Sequence, residues 1–246
     1  MPRAAEPERH LDWEGCFNVR DLGSLPTVAG GRTRRGAIVR ADALDRLTDK
    51  GWAALVAHGV KTLIDLRSPE ERRPDVSPRP AALETIELPL DNAANRQFWD
   101  EWESGPQFGT PLCYLPHLRQ FPAFSARVIA AIADAPPGGV VFHCQGGRDR
   151  TGLISMVLLA LSGVAHDVIS DDYELSHDRL RVAYATRGEP DQGPELVGYL
   201  ASLDTTARAV IAETLRSLDL AAVLEGGGLT TMHRERLRAR FVDPTV

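Results

Sequence analysis

The segment His143-Cys144-Gln145-Gly146-Gly147-Arg148-Asp149-Arg150-Thr151-Gly152 gathers a nucleophilic thiol, two guanidinium groups and a carboxylate around a glycine pair. An apolar run, Val140-Val141-Phe142, leads into it, and a second, Leu153 to Leu161, leads out. That order predicts a buried strand ending at the cysteine, a turn through Gly146 and Gly147, and a helix starting near Arg150 and Thr151. Backbone N–H groups and a positive helix end then converge on one point, which suits a bound phosphate. The thiol shares that field. A free cysteine is mostly protonated at neutral pH, and nearby cations and helix N-termini favour the thiolate that attacks. The chemistry read here is phosphomonoester hydrolysis, with Cys144 as nucleophile and a phosphocysteine intermediate.

The neighbours suit that chemistry by type. The planar fork of Arg150 can take two non-bridging phosphate oxygens at once. Gly146 and Gly147 let the backbone approach the anion, while Gln145 and Arg148 complete the turn, Arg148 adding positive charge. Thr151 can aim its hydroxyl at the Cys144 sulfur and stabilise it as a leaving thiolate. His143 orients the loop through hydrogen bonds. The same Cys-x5-Arg spacing recurs from Cys113 to Arg119, but that copy has no glycine, no preceding strand and a central proline. It reads as coincidence. A plain strand-to-helix turn around a buried cysteine would not need two arginines and an aspartate at the helix start.

In these residues the chain resembles the cysteine-dependent tyrosine phosphatases. It is most similar to the atypical bacterial tyrosine/dual-specificity group, whose signature reads His-Cys-x-x-Gly-Lys-Asp-Arg-Thr-Gly. Phe17-Asn18-Val19-Arg20-Asp21-Leu22-Gly23 resembles that group's amino-terminal Asn-x-Arg-Asp-Leu-Gly block. Ile64-Asp65-Leu66-Arg67-Ser68, followed by Glu70 and Glu71, resembles its Asp-Leu-Arg strand end. The resemblance runs from about Cys16 onward. It implies that Cys144 is the nucleophile, that Arg150 clamps phosphate and that Asp149 is the general acid and base. It further implies that Gln145, Gly146, Gly147, Arg148 and Thr151 bind the phosphate, with His143, Asp65, Arg20, Asp21 and Asn18 in support. Asp91 and Asp65 contend with Asp149 for the proton transfer, since any acid must lie within hydrogen-bond reach of the leaving oxygen. One departure stands out: Arg148 replaces the group's lysine, and Gly146 its alanine. Arginine keeps the charge but offers a wide fork instead of a compact ammonium, so the group's spread of lipid, phosphotyrosine and phosphoserine substrates does not carry over with it.

The elements that must position these residues read as alternating strands and helices. Ala37 to Arg40, Val60 to Leu66 and Leu83 to Leu88 read as strands. Thr48 caps a helix carrying Trp52, Leu55 and Val56, closed at Gly59. Phe121 to Ala135 is helical and stops at Pro136-Pro137-Gly138-Gly139. The run Thr151 to Leu161 is apolar almost all round and reads as a central buried helix. Asp167 to Arg181, Leu196 to Leu203, Thr206 to Leu218 and Thr231 to Phe241 are further helices. This pattern predicts an α/β fold: a mainly parallel central sheet flanked by helices, tyrosine-phosphatase-like by resemblance, with the loop at a strand's carboxyl end. Residues 1–12 read as a flexible arm and 13–246 as a single domain. Within it, 91–120 holds Phe98, Trp99, Trp102, Phe108 and Tyr114, and reads either as a helical lid over the phosphate or as a plain packed hairpin of helices.

Composition narrows the function classes. The chain has 246 residues, 43% hydrophobic and 25% charged, enough for one large domain with a substantial core. A net charge of −6 gives no global field for nucleic acid. The Arg32-Thr33-Arg34-Arg35 cluster between glycines reads as a solvated hairpin loop. Three scattered cysteines fit a reducing compartment. No apolar run reaches the roughly 20 residues of a membrane span, and residues 1–10 lack a signal-peptide core. The expectation is a cytoplasmic protein with no stable membrane insertion, export without a cleaved signal being the alternative. His166 and His177 lack companions at ligand spacing, and neither metal nor cofactor is expected. The substrate is a phosphotyrosine protein or a related signalling phosphoester. A small metabolite phosphate, such as a nucleotide or sugar phosphate, and a non-catalytic phosphate-binding role are the alternatives. Sulfur transfer of the rhodanese kind fits the Asn18-Arg20-Asp21 block and Asp149 less well.

Overall fold

The apolar strand before Cys144 lies at the middle of a five-stranded sheet in the computed structural model, which describes residues 9–91, 95–103 and 105–243. The chain begins with β1 (Arg20–Asp21), β2 (Arg32–Thr33), β3 (Ile38–Ala41), α1 (Asp49–Ala57), β4 (Val60–Asp65) and β5 (Glu84–Glu87). There follow α2 (Arg96–Glu103), α3 (Tyr114–Gln120), α4 (Pro122–Asp134), β6 (Gly139–His143) and α5 (Asp149–Leu161). The last part is α6 (His166–Arg187), α7 (Gly193–Ser202), α8 (Ala207–Arg216), α9 (Leu220–Gly226), α10 (Thr231–Phe241) and β7 (Val242–Asp243).

The sheet order is β1-β3-β6-β4-β5. The pairs β3–β6, β6–β4 and β4–β5 are parallel, and only β1 runs antiparallel to its neighbour. The predicted mainly parallel, helix-flanked sheet is the observed one. Every residue of β6 is buried, and alternate side chains serve opposite faces. Val140 and Phe142 join a core with α4, α5 and α6, while Val141 joins a second core with Trp13, Trp52 and Leu63. Register then sets the site. His143 stands level with Ala41 of β3 and Asp65 of β4, so the loops after three adjacent strands meet at one sheet edge.

The predicted elements recur with shifted ends. Thr48 does cap α1, accepting from Gly51 N. Helix α10 spans the predicted Thr231–Phe241, whereas α6 extends well beyond Arg181 to a left-handed Gly188. Helix α9 has no counterpart in the sequence reading. The arginine cluster is more than a solvated loop: β2 pairs with β7, and Arg34 bonds Asp243 at 2.7 Å and two carbonyls of α10. Of the arm expected over 1–12, residues 1–8 lie outside the described residues. Of the remainder, Arg9 is buried with Nη1 3.0 Å from Asp172 Oδ1 and His10 bridges to Arg20, while Asp12 is exposed. In the 91–120 segment, Phe98 and Trp99 of α2 pack on Phe121, with ring centroids 5.0 Å apart for Phe98–Trp99 and Phe98–Phe121. None of the described helices is long and apolar enough to cross a membrane.

Candidate active site

Cys144 follows β6 directly, and the chain turns through Gly146 and Gly147 into the first turn of α5, which begins at Asp149. The turn is tight enough to need glycine. Gly147 has φ +67°, and a Cβ there would lie 2.6 Å from the Ala41 carbonyl oxygen. Helix α5 is buried from Thr151 to Leu159, so its N-terminus is fixed by the core behind it. Cys144 is 2% exposed. Thr151 Oγ1 is buried without a hydrogen-bond partner among the described residues.

Arg150 is held by two carboxylates. Both its terminal nitrogens meet the Glu71 carboxylate, Nη2 at 2.5 Å from Oε1, and Nη1 lies 3.2 Å from Asp91 Oδ2. Burial works against its charge, but Glu71, Cys144 and Asp91 outweigh that and hold the guanidinium firmly protonated. Glu71 is presented by a short 3-10 turn after β4, Pro69–Glu71, where it also accepts from Ser68 N at 3.0 Å in a capping box. Burial raises the Glu71 carboxyl, yet the Arg150 contact more than offsets this and draws it below its usual range.

The three contending aspartates occupy different surroundings. Asp149 and Asp91 both line a cavity of about 280 Å³, along with Glu71, Arg150, Trp99, Trp102, Phe108 and Tyr114. Asp149 is clasped by Arg148 Nε at 3.1 Å. Asp91 is pushed up to about 6, chiefly by burial, with Glu71, Glu103 and Asp149 adding to the rise and Arg150 opposing it. Asp65 lies elsewhere. It accepts from Arg67 N and Nε at 3.0 Å and from Nη2 at 2.9 Å. Burial raises its carboxyl, but the Arg67 hydrogen bonds and His143 bring it below the usual range. It is a brace for the strand end.

The supporting residues divide in the same way. His143 is fully buried, which lowers it to about 4 and keeps the ring neutral. Its Nδ1 lies 3.4 Å from the Cys144 carbonyl oxygen. Asn18 Nδ2 donates to the Gly146 carbonyl at 3.0 Å, and Arg20 Nη1 donates to Asn18 Oδ1 at 2.6 Å. Asp21 does not reach the loop: it accepts from Gly23 N and Gly36 N and lies 3.1 Å from His58 Nε2. Gln145 lies 3.5 Å from Arg67 Nη1. Arg148 is buried, with its guanidinium on Asp149 and 3.5 Å from Gln192 Oε1. Cys113 and Arg119 sit on a 3-10 turn and on α3, with no strand before them. Sequence reasoning gave no role to Arg40 or Asp172, although a lone arginine inside the apolar strand β3 was a signal for the first. Among the described residues no three His, Cys, Asp or Glu side chains group as a metal site.

A family model described as the tyrosine phosphatase family matches residues 11–243. Two curated relatives are a tyrosine-protein phosphatase of Nostoc commune and the triple specificity protein phosphatase PtpB of Mycobacterium tuberculosis. The first is 33% identical over 161 residues, 65% of this chain and 52% of its own length, so the chain spans about half of that relative. The second is 27% identical over 272 aligned positions, covering 91% of this chain and 96% of its own. Among solved structures, Pseudomonas aeruginosa TpbA in complex with phosphotyrosine aligns over 92% of this chain and 100% of its own, at TM-score 0.46 and 13% identity.

Proposed function

The chain belongs to the tyrosine phosphatase family, and we propose that it hydrolyses phosphotyrosine in proteins through a phosphocysteine on Cys144. One observation carries the reading: Cys144 follows the central strand at the N-terminus of a buried helix, whose first turn carries Arg150 with its fork already held by Glu71 and within the electrostatic influence of Cys144. The thiolate attacks phosphorus as the P–O(aryl) bond breaks, and the leaving oxygen takes a proton from an aspartic acid of the cavity. Water then attacks phosphorus, giving its proton to the same carboxylate, and the S–P bond breaks to free phosphate and the thiolate. Amide N–H groups and the guanidinium stabilise charge on the equatorial oxygens. The aromatic wall fits a phenyl ester. Hydrolysis of a phosphotyrosine peptide, measured beside a phosphoserine peptide and a panel of nucleotide and sugar phosphates, tests the reading. A kcat/KM preference of about 10³ for a metabolite, near 4 kcal/mol, would replace it with the metabolite alternative.

Asp91 and Asp149 both face the cavity, and burial pushes Asp91 up to about 6. An acid must be protonated to donate, so a donor titrating near 6 makes kcat fall as pH rises through that value. Asp91→Asn is expected to lower kcat about 10²-fold on phosphotyrosine and to remove that basic limb, with a smaller loss on p-nitrophenyl phosphate, whose leaving group needs less protonation. Retention of the limb in Asp91→Asn and its loss in Asp149→Asn would assign the proton to Asp149 instead.

Phe108 separates wall from core because it lines the cavity yet is 61% exposed. Phe108→Ala is expected to raise KM for a phosphotyrosine peptide about fivefold to tenfold, the worth of roughly 1 kcal/mol of aromatic contact. Melting temperature and KM for a phosphoserine peptide should stay as they are. Equal KM changes for both peptides would show that the ring does not meet the ester's aromatic part.

A further inference from the structure

Two carbonyls of the Cys144 loop are held from behind. Asn18 Nδ2 donates to the Gly146 oxygen at 3.0 Å, and Arg40 Nη2 donates to the Gly147 oxygen at 2.7 Å. In a planar trans peptide the carbonyl and the following N–H point in opposite directions, and no cis peptide bond occurs among the described residues. Fixing these two oxygens therefore turns the N–H groups of Gly147 and Arg148 the other way, to the side where a phosphate would be cradled.

The donors are themselves organised from one carboxylate. Asp172, on α6, accepts from Arg40 Nη1 at 2.6 Å through Oδ2 and from Arg20 Nε at 3.0 Å through Oδ1. Arg20 also donates to the Asp172 carbonyl at 2.6 Å, to Ser176 Oγ at 3.1 Å and to the Asn18 side chain. Arg9 Nη1 reaches Asp172 Oδ1 as well. Asn18, Arg20, Arg40 and Asp172 are all 2% exposed or less. Arg20 and Arg40, both buried, thus share one carboxylate in the interior, where surplus charge is costly unless something answers it. Burial and the repulsion of Arg40 lower Arg20 to about 9, still cationic at neutral pH. Burial disfavours the Asp172 carboxylate, but the surrounding arginines hold it ionised, well below the usual range. The surplus is positive, and it lies directly behind a loop whose ligand is an anion.

We propose that Asp172, acting through Arg20, Arg40 and Asn18, is a positioning residue that aims the loop amides and sets positive charge beneath the phosphate. The inference rests on the reading of the loop as a phosphate cup. It explains why a strand residue, a helix residue and the amino-terminal Asn-Val-Arg segment, distant in sequence, meet at one place.

Arg40→Lys and Asn18→Asp test it with little change in volume. The first keeps the charge but cannot reach both Asp172 and the Gly147 carbonyl with a parallel fork. The second keeps an acceptor for Arg20 but replaces the donor to Gly146 with an oxygen. Vanadate affinity and the steady-state constants for a phosphotyrosine peptide are read on each, beside a thermal melt. The expected result is vanadate Kd raised about tenfold or more and kcat/KM lowered by 10-fold to 100-fold, as for a lost charge-assisted hydrogen bond, in protein that still melts cooperatively. Asp172→Asn should show the same loss where it folds, and the other two variants decide where it does not. Variants with lowered melting temperature but wild-type vanadate Kd and kcat/KM would make the network purely structural and overturn the proposal. A wild-type protein that neither binds vanadate nor hydrolyses the peptide would overturn the phosphatase reading, and this one with it.

Discussion

Replacing Cys144 with serine is expected to abolish turnover, lowering hydrolysis of a phosphotyrosine peptide on the order of 10⁴-fold or more. The serine oxygen takes the place of sulfur at the end of β6, so the geometry is kept while the nucleophile changes. A hydroxyl stays protonated at neutral pH, and nothing beside it acts as its base: His143 is buried, neutral, and turned to the Cys144 carbonyl. The serine alkoxide would also be a poor leaving group when water attacks its phosphoester in the second step. The loop amides and Arg150 are untouched, so peptide affinity should stay within a few-fold of the wild type. Single-turnover hydrolysis and a peptide-binding titration on the same sample measure both halves. A serine variant hydrolysing within tenfold of the wild type would remove Cys144 as nucleophile.

Arg150→Lys is expected to lower kcat/KM about 10³-fold, with most of the loss in kcat. Charge is conserved in this change, so what it tests is the fork. An ammonium on a flexible stem offers a point charge, whereas the guanidinium presents two parallel N–H groups at a fixed spacing. In the wild type that orientation is set in advance by Glu71 and Asp91. The rotamer entropy of a long side chain has therefore been spent on folding, ahead of the chemistry. Lysine would keep some ground-state attraction for the dianion and lose the geometry required as charge spreads over three equatorial oxygens. A lysine variant with nearly unchanged kcat and a raised KM would place Arg150 in substrate capture alone.

The strand–turn–helix around Cys144 was legible because its causes are local. An apolar run, two glycines and a second apolar run follow each other within about twenty residues, and each acts over a few positions. The same holds for Thr48 at the start of α1 and for the glycines after α4. What escaped depends on partners far along the chain. Residues 32–33 form a strand only because residues 242–243 lie beside them, and two-residue strands carry no periodicity. Helix α9 is seven residues long, too short for a pattern. Asp172 looked like one of two adjacent acids on a helix. Its neighbour Asp171 takes Arg208 at half-exposure, while Asp172 is 1% exposed among arginines from the other end of the sequence. The Asp65 contender was read from its place at a strand end, which is right, but Arg67 two residues on takes up the carboxylate.

Tyr114 joins the cavity wall to α5. Its hydroxyl donates to the Asp149 carbonyl at 2.8 Å, and it can do so because residue 152 has no side chain: a Cβ there would lie 2.4 Å from the Tyr114 hydroxyl oxygen. The wall and the anion cup are therefore two ends of one mechanical connection. By reciprocity, whatever free energy a seated ester gains from an ordered wall, the wall gains equally from the ester. A change at Tyr114, unlike one at the exposed rim residue Phe108, therefore reaches the first turn of α5 as well as the wall.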